Sequence, residues 1–294
     1  MKDANRDLIK LIKHRFPKLS KGQKLIAEFI TNQYDKAAFM TAAKLGERVG
    51  VSESTVVRFA IALGFEGYPE LQKALQELIK IKLTTVQRIE MSSDYANEDD
   101  VIRKILKSDI DNIRATLEEI DIKAYDDIVD LLMGAKKIYI VGFRTSTILA
   151  QFLGFYLNLI LENVQVVSQG ISDVYEQLFN IGQEDLVIAI SFPRYSKRIV
   201  DVLDFIKKRG STVIALTDGP LSPLLNFADH ALYAKSNMAS FVDSMVAPLS
   251  LINALIIAVS LKEKGKLTDT FTRLEDIWVQ YNIYSNRDKN GLQD

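Results

Sequence analysis

Three short runs join arginines and hydroxyls ahead of stretches with helical periodicity: Gly142-Phe-Arg-Thr-Ser146, Ser191-Phe-Pro-Arg-Tyr-Ser196 and Thr217-Asp-Gly-Pro-Leu-Ser222. The first helical turn leaves backbone N–H groups without intrahelical partners and carries the positive end of the helix dipole. A guanidinium fork beside it adds paired donors, so such a run suits a phosphate or a carboxylate. The expected ligand is a small anionic metabolite, and the candidate residues are Arg144, Thr145, Ser146, Ser191, Arg194, Tyr195 and Ser196. Any one of these loops also fits a capping serine beside a solvated arginine. Three of them, each after a strand-like run, favour a site.

A fourth run offers a different chemistry. Ser52-Glu-Ser54-Thr55-Val-Val-Arg58 places hydroxyls and one arginine near the start of a short helix, where they can reach phosphates and base edges in a major groove. Thr41 and Lys44, one helix earlier, complete the candidate DNA-binding set of Thr41, Lys44, Ser52, Ser54, Thr55 and Arg58.

The elements that hold this fourth run follow from apolar spacing. Leu45, Val49, Val51, Val56, Phe59 and Leu63 fall at helical intervals on either side of Gly50-Val51-Ser52, which reads as a helix-turn-helix. Gly46 inside the first helix costs about 1 kcal/mol relative to alanine, which suggests that the second helix approaches closely there. Ser52 is the expected N-cap, and the second helix begins at Glu53. On its helical wheel Val56, Phe59, Ala60 and Leu63 point inward, whereas Ser54, Arg58 and Ala62 point away. Helices over 4–15, 20–32 and from Pro69 to Leu83 complete an all-helical head.

The remainder has another character. After a polar stretch from Thr84 to Asp100, read as a linker, come two helices (101–119 and 124–134) and five strand-like runs, at 136–142, 164–167, 185–190, 212–216 and 230–233. Helical stretches separate most of them. Runs that are apolar on both faces and alternate with helices predict a parallel sheet covered on both sides. The three polar runs lie at strand carboxyl ends, where ligands collect in such sheets. The fold class expected is therefore multidomain: an all-α helix-turn-helix head and a three-layer αβα, flavodoxin-like body. The expected bounds are 1–83 for the head, 84–100 for the linker, 101–285 for the body and 286–294 for a polar tail.

Composition narrows the function classes. The 294 residues include no cysteine and two histidines, His14 and His230, which argues against disulfides and against a thiolate or histidine-built metal site. No cofactor is expected, and the glycines at 134 and 142 lack Walker spacing. The net charge of −1 hides an asymmetry, with 16 Lys+Arg against 10 Asp+Glu in residues 1–90 and 21 against 28 afterwards. A basic head suits a polyanion. The start lacks the apolar core of a signal peptide, and the apolar run 245–261 contains Pro248, Ser250 and Asn253, so it reads as a buried helix rather than a membrane span. A cytoplasmic location follows.

LSKGQKLIAEFI and VGVSESTVVRFAIALGFEGYPELQKAL resemble the DNA-binding domain of RpiR-type bacterial regulators, and residues 123–262 resemble the sugar isomerase (SIS) domain that those regulators carry. The resemblance implies a regulator whose SIS domain binds a phosphorylated sugar or related metabolite, as a dimer or tetramer, and thereby alters operator binding. Many SIS domains read G-x-G-x-S after the first strand. Here Gly142 and Ser146 match, and Arg144 replaces the second glycine. In the pattern S-x-S-G-x-T-x-E after the third strand, Ser191 matches, Ser196 stands at the threonine, Pro193 at the second serine, Arg194 at the glycine and Arg198 at the glutamate. That glutamate is the candidate base in SIS isomerases, and arginine cannot remove a proton at neutral pH.

The expected function is thus DNA-binding transcriptional regulation gated by a phosphosugar-like or sugar-acid metabolite, without enzyme activity. The alternative is a sugar-phosphate isomerase or lyase with an added DNA-binding head. His230, Tyr195 and Tyr233 read as structural side chains rather than as acids or bases. Apolar surplus in 148–161 and 241–261 suggests a homodimer or tetramer, and two paired heads imply a roughly palindromic duplex operator.

Overall fold

A computed structural model describes residues 8–82, 84–91, 100–168, 170–238 and 241–284. The expected polar tail, residues 4–7 of the first helix, Leu83 and the middle of the expected linker at 92–99 lie outside the described residues. The chain divides into two compact units, residues 1–105 with 238–243, and residues 106–237 with 244–294.

The first unit is helical: α1 (Leu8–Arg15), α2 (Lys21–Asn32), α3 (Tyr34–Ala37), α4 (Ala42–Val49), α5 (Glu53–Leu63), α6 (Tyr68–Lys82) and α7 (Thr85–Met91). Ser20 and Gln23 cap α2 reciprocally, each side chain bonding the other's backbone N–H. Leu45 from α4 and Val56, Phe59, Ala60 and Leu63 from α5 are buried with Ile26, Ile30, Leu71 and Leu75. Gly50 and Gly64 end α4 and α5 at φ 75° and 102°, left-handed conformations that glycine adopts without a Cβ penalty. Tyr68 opens α6, one residue before Pro69, and its hydroxyl donates to the Met40 carbonyl at 2.7 Å. Burial pushes its pKa up to about 12.

The linker expectation fails at 85–91, which form α7. Arg88 on that helix is buried, and its Nη1 meets Asp243 Oδ1 at 2.8 Å. A buried guanidinium needs a charged partner to offset desolvation. This one comes from far along the chain, in the 238–243 segment of the same unit.

The second unit begins in α8 (Val101–Glu119), followed by α9 (Ile122–Gly134), β1 (Lys137–Gly142), α10 (Ser146–Leu161), β2 (Val164–Val167), α11 (Val174–Gln177), β3 (Asp185–Ile190), α12 (Lys197–Lys208), β4 (Thr212–Thr217), β5 (His230–Tyr233), α13 (Val246–Lys262) and α14 (Lys264–Gln280). All five strands pair in parallel in the order β2-β1-β3-β4-β5. Alternation along each strand sends Ile138, Ile140, Ile188, Ile190, Ile214 and Leu216 to one face, under α9, α10 and α13. Tyr139, Val141, Val187, Ala189, Val213 and Ala215 go to the other, under α11 and α12. Both faces are thereby covered, as parallel pairing requires.

Most of the apolar run 245–261 is α13, with Leu251, Ile252, Leu255, Ile256 and Val259 buried. No single helix among the described residues is long and apolar enough to cross a membrane.

Candidate functional site

Strand order reverses direction between β1 and β3, so the helices that follow these strands, α10 and α12, pack on opposite faces of the sheet. The β1 loop is Phe143–Thr145 and the β3 loop is Ser191–Ser196, so the candidate effector residues flank that point. Gly142 closes β1 against the first turn of α10: a Cβ there would meet the Ser146 carbonyl oxygen at 2.6 Å. The match of Gly142 to the family pattern therefore has a steric cause.

Arg144 and Arg194 share a backbone feature. Their φ angles are 58° and 61°, in the left-handed region, and both stand where the family pattern carries glycine. For a residue with a Cβ this conformation costs about 1–2 kcal/mol, and both side chains are exposed. Such strain concentrates at binding sites.

The seven candidates differ in what they can offer. Arg144, Thr145 and Arg194 are exposed, Tyr195 and Ser196 are half-buried, and Ser146 and Ser191 are buried. The free N–H groups expected at the start of α10 are already engaged. Those of Ser146, Thr147 and Ile148 donate to the carbonyls of Phe143, Arg144 and Thr145 at 3.1–3.2 Å, in a tight i→i+3 pattern. The Thr147 hydroxyl is likewise held by the Gly142 carbonyl at 3.0 Å. On the β1 side the positive charge therefore rests on the Arg144 guanidinium rather than on the helix terminus. At α12 the N-cap residue Ser196 makes no side-chain cap bond, so its hydroxyl is not spent on the helix.

One residue that sequence reasoning did not single out, Asp218, links the β3 and β4 loops. Asp218, buried at the end of β4, accepts from the Tyr195 hydroxyl at 2.5 Å and from the Thr217 hydroxyl at 3.2 Å. Thr217 lies 2.8 Å from Ser222, which extends the network into the third loop. Arg198 stacks over the Phe143 ring at 5.6 Å and pairs with Asp173 at 2.8 Å. It thus ties α12 to the β1 loop and to the N-cap of α11.

No candidate base is evident where the family pattern puts one. Arg198 occupies that position as a paired cation. His230 opens β5 at the opposite end of the sheet, with Ile214 as its register partner. Burial holds the Tyr233 phenol above its ordinary 10.

In the first unit four of the six DNA-binding candidates, Ser52, Ser54, Thr55 and Arg58, form one chain of contacts. Ser52 caps α5, accepting from the Thr55 N–H at 3.3 Å, and its hydroxyl lies 2.9 Å from those of both Ser54 and Thr55. Arg58 Nε donates to the Ser54 carbonyl at 3.2 Å and Nη2 to its hydroxyl at 3.4 Å. Ser54 and Arg58 are exposed, whereas Ala62, expected to point outward with them, is half-buried. Ile61 takes that side of the helix and is 55 % exposed. Thr41 caps α4 through the Lys44 N–H at 3.3 Å, and both residues are exposed.

Comparison with known proteins accords with both halves. Residues 6–81 match the helix-turn-helix domain of the rpiR family, and residues 131–258 match the SIS domain. An HTH-type transcriptional regulator of Clostridium perfringens is 27 % identical over 73 % of this chain and 77 % of its own length. The HTH-type transcriptional regulator HexR of Pseudomonas aeruginosa is 25 % identical over 93 % of this chain and 96 % of its own. Among solved structures, the sugar isomerase domain of an RpiR transcription factor from Sphaerobacter thermophilus is 27 % identical, with a TM-score of 0.57 over 60 % of this chain and 98 % of that one. The Vibrio vulnificus NanR protein, solved in complex with ManNAc-6P, is 21 % identical, with a TM-score of 0.57 over 95 % of this chain and all of that one.

Proposed function

The chain belongs to the RpiR-type transcriptional regulators, and from that premise we propose that its SIS domain senses a phosphosugar-like metabolite and sets the affinity of its head for a duplex operator. The observation that carries the reading is the pair of strained, exposed arginines, Arg144 and Arg194, on either side of the point where strand order reverses. An anion there meets guanidinium forks and the Ser196 hydroxyl. Arg194, ahead of the start of α12, is assigned the phosphate. The head reads bases with Ser54, Thr55 and Arg58, while Lys44 and Thr41 take phosphates. Coupling requires only that the metabolite bind the two arrangements of the regulator with different affinities.

Sensing without turnover fits Arg198, held by Asp173 at the position of the family's candidate base. Its location, in this reading, is the cytoplasm, where the operator is.

The test uses the whole chain. A duplex selected from a random pool is titrated with protein in the presence and absence of phosphosugars, and product is monitored in parallel. We expect a shift in operator affinity of at least fivefold with no product. Arg194→Gly, which removes the guanidinium and relieves the positive φ, should retain operator affinity and lose the response. Isomerised product at enzymatic rates, or a full response from Arg194→Gly, would overturn the reading.

A further inference from the structure

We propose that α8 is a seam between two copies of this chain: the α8 helices of a pair lie antiparallel across a two-fold axis at Ile110, each against the groove that α8, α9 and α13 form in the other. The seam uses neither the effector residues nor the DNA-reading face, so it stands or falls apart from the sensor reading.

Helix α8 is built inside out. Its buried residues are Asn112 and Thr116, and both hold the segment after β5. The Asn112 side chain donates to the Asn237 carbonyl and accepts from the Asn237 N–H, each at 3.2 Å, and the Thr116 hydroxyl accepts from the Lys235 N–H at 2.9 Å. Leu106, Ile110, Ile113 and Leu117 form a stripe on the outside, 56 %, 54 %, 38 % and 72 % exposed. A helix on the surface of a lone domain turns its apolar stripe to the core, so this stripe points to a missing partner. A groove of about 370 Å³ opens beside it, lined by Ile113 and Leu117 with Ile122 and Tyr125 of α9 and Ser250 and Ala254 of α13. Along α13 the same side continues to exposed Ile257 and Leu261, which makes the groove part of a larger apolar face.

The charge order of α8 identifies the partner as a second copy. Residues 101–108 carry Arg103, Lys104 and Lys107 and no acid, whereas residues 109–119 carry Asp109, Asp111, Glu118 and Glu119 against Arg114. Two antiparallel copies lay basic halves along acidic ones, and two parallel copies would set like charges side by side. The alternating four- and three-residue spacing of the stripe suits packing along a helix seam. In the antiparallel pair Leu106 of one copy meets the groove beside Ile113 of the other.

The experiment uses the whole chain, whose sequence contains no cysteine, so introduced thiols report contacts without background. Leu106→Cys, Ile110→Cys, Ile113→Cys and Leu117→Cys are made singly and oxidised at micromolar concentration. With a rise of about 1.5 Å per residue, positions 106, 113 and 117 lie about 12, 9 and 21 Å along the axis from their own counterparts, beyond the roughly 7 Å Cα separation that a disulfide spans. Only Ile110→Cys should therefore link to itself, and Leu106→Cys mixed with Ile113→Cys should link as a heterodimer. Ile110→Asp sets two carboxylates at the axis and should weaken the dimer at least tenfold in sedimentation, with the far-ultraviolet spectrum unchanged. Self-linking at all four positions would mean parallel helices and would overturn the proposal. Linking at none of them, or a dimer that Ile110→Asp leaves as tight as the parent, would overturn it as well.

Discussion

Arg58 is anchored before it meets any ligand: two of its nitrogens reach Ser54, one turn back on the same exposed face of α5. A side chain ordered in advance loses less entropy on binding, and a guanidinium can bond a guanine edge through two parallel donors. Lys44 is a flexible point charge better suited to a phosphate. The two substitutions should therefore behave differently. Arg58→Ala is expected to lose about 1–3 kcal/mol of discrimination at one base position, whereas Lys44→Ala should weaken all sequences alike and reduce the salt slope by about one ion. Competition titrations of a selected duplex against single-base variants at two salt concentrations separate these outcomes. Equal losses for Arg58→Ala on every duplex would assign that residue to the backbone instead.

At the scale of elements, the closeness of α4 and α5 depends on a missing side chain. A Cβ on Gly46 would lie 2.7 Å from the Val51 carbonyl oxygen and 3.3 Å from the Glu53 nitrogen, both backbone atoms of the turn that cannot swing aside. Gly46→Ala should gain helix propensity of roughly 1 kcal/mol yet lose more by forcing the turn open, so the head should melt at lower temperature and bind DNA more weakly. Circular dichroism melts and duplex titration check both effects, and a variant as stable as the parent would contradict the close packing. This glycine was legible in the sequence because it violates local propensity, and the strands were legible because each is a short, continuous apolar run. Helix α7 was not. Its apolar residues Val86 and Ile89 are exposed, and what it buries is Arg88, paired with Asp243, 155 residues away. Asp218 was hidden for a related reason: Asp-Gly-Pro reads as turn chemistry, and only the fold brings Tyr195 to its carboxylate. Nor could spacing tell that the first-turn N–H groups of α10 are spent on their own loop, because Arg144 reads equally well in an α-helical start and in a tight turn.

For the whole molecule, the proposed pairing of two chains rests on apolar surface that the α/β unit leaves open. Ile148 and Phe155 on α10 are 68 % and 59 % exposed, and Ile257 and Leu261 on α13 are 58 % and 70 % exposed. Both helices bury their other faces in the core beneath the sheet, and α14, which follows α13, has no buried residue among those described. Apolar side chains of this size on adjoining helices suit a two-fold contact with a second copy, the commonest closed assembly. Phe155→Glu places two carboxylates against the same contact in a symmetric dimer, and desolvating them costs more than the lost phenyl contributes. Sedimentation should shift from dimer to monomer at micromolar concentration, with the far-ultraviolet spectrum unchanged. Because two recognition helices spaced about 34 Å apart bind a palindrome as one unit, the variant should also lose the tight, single-step binding of a two-half-site duplex while keeping the weak affinity of one half-site. A variant that remains dimeric would move the interface to another face, and a monomer that still protects both half-sites in one step would break the link between pairing and operator geometry.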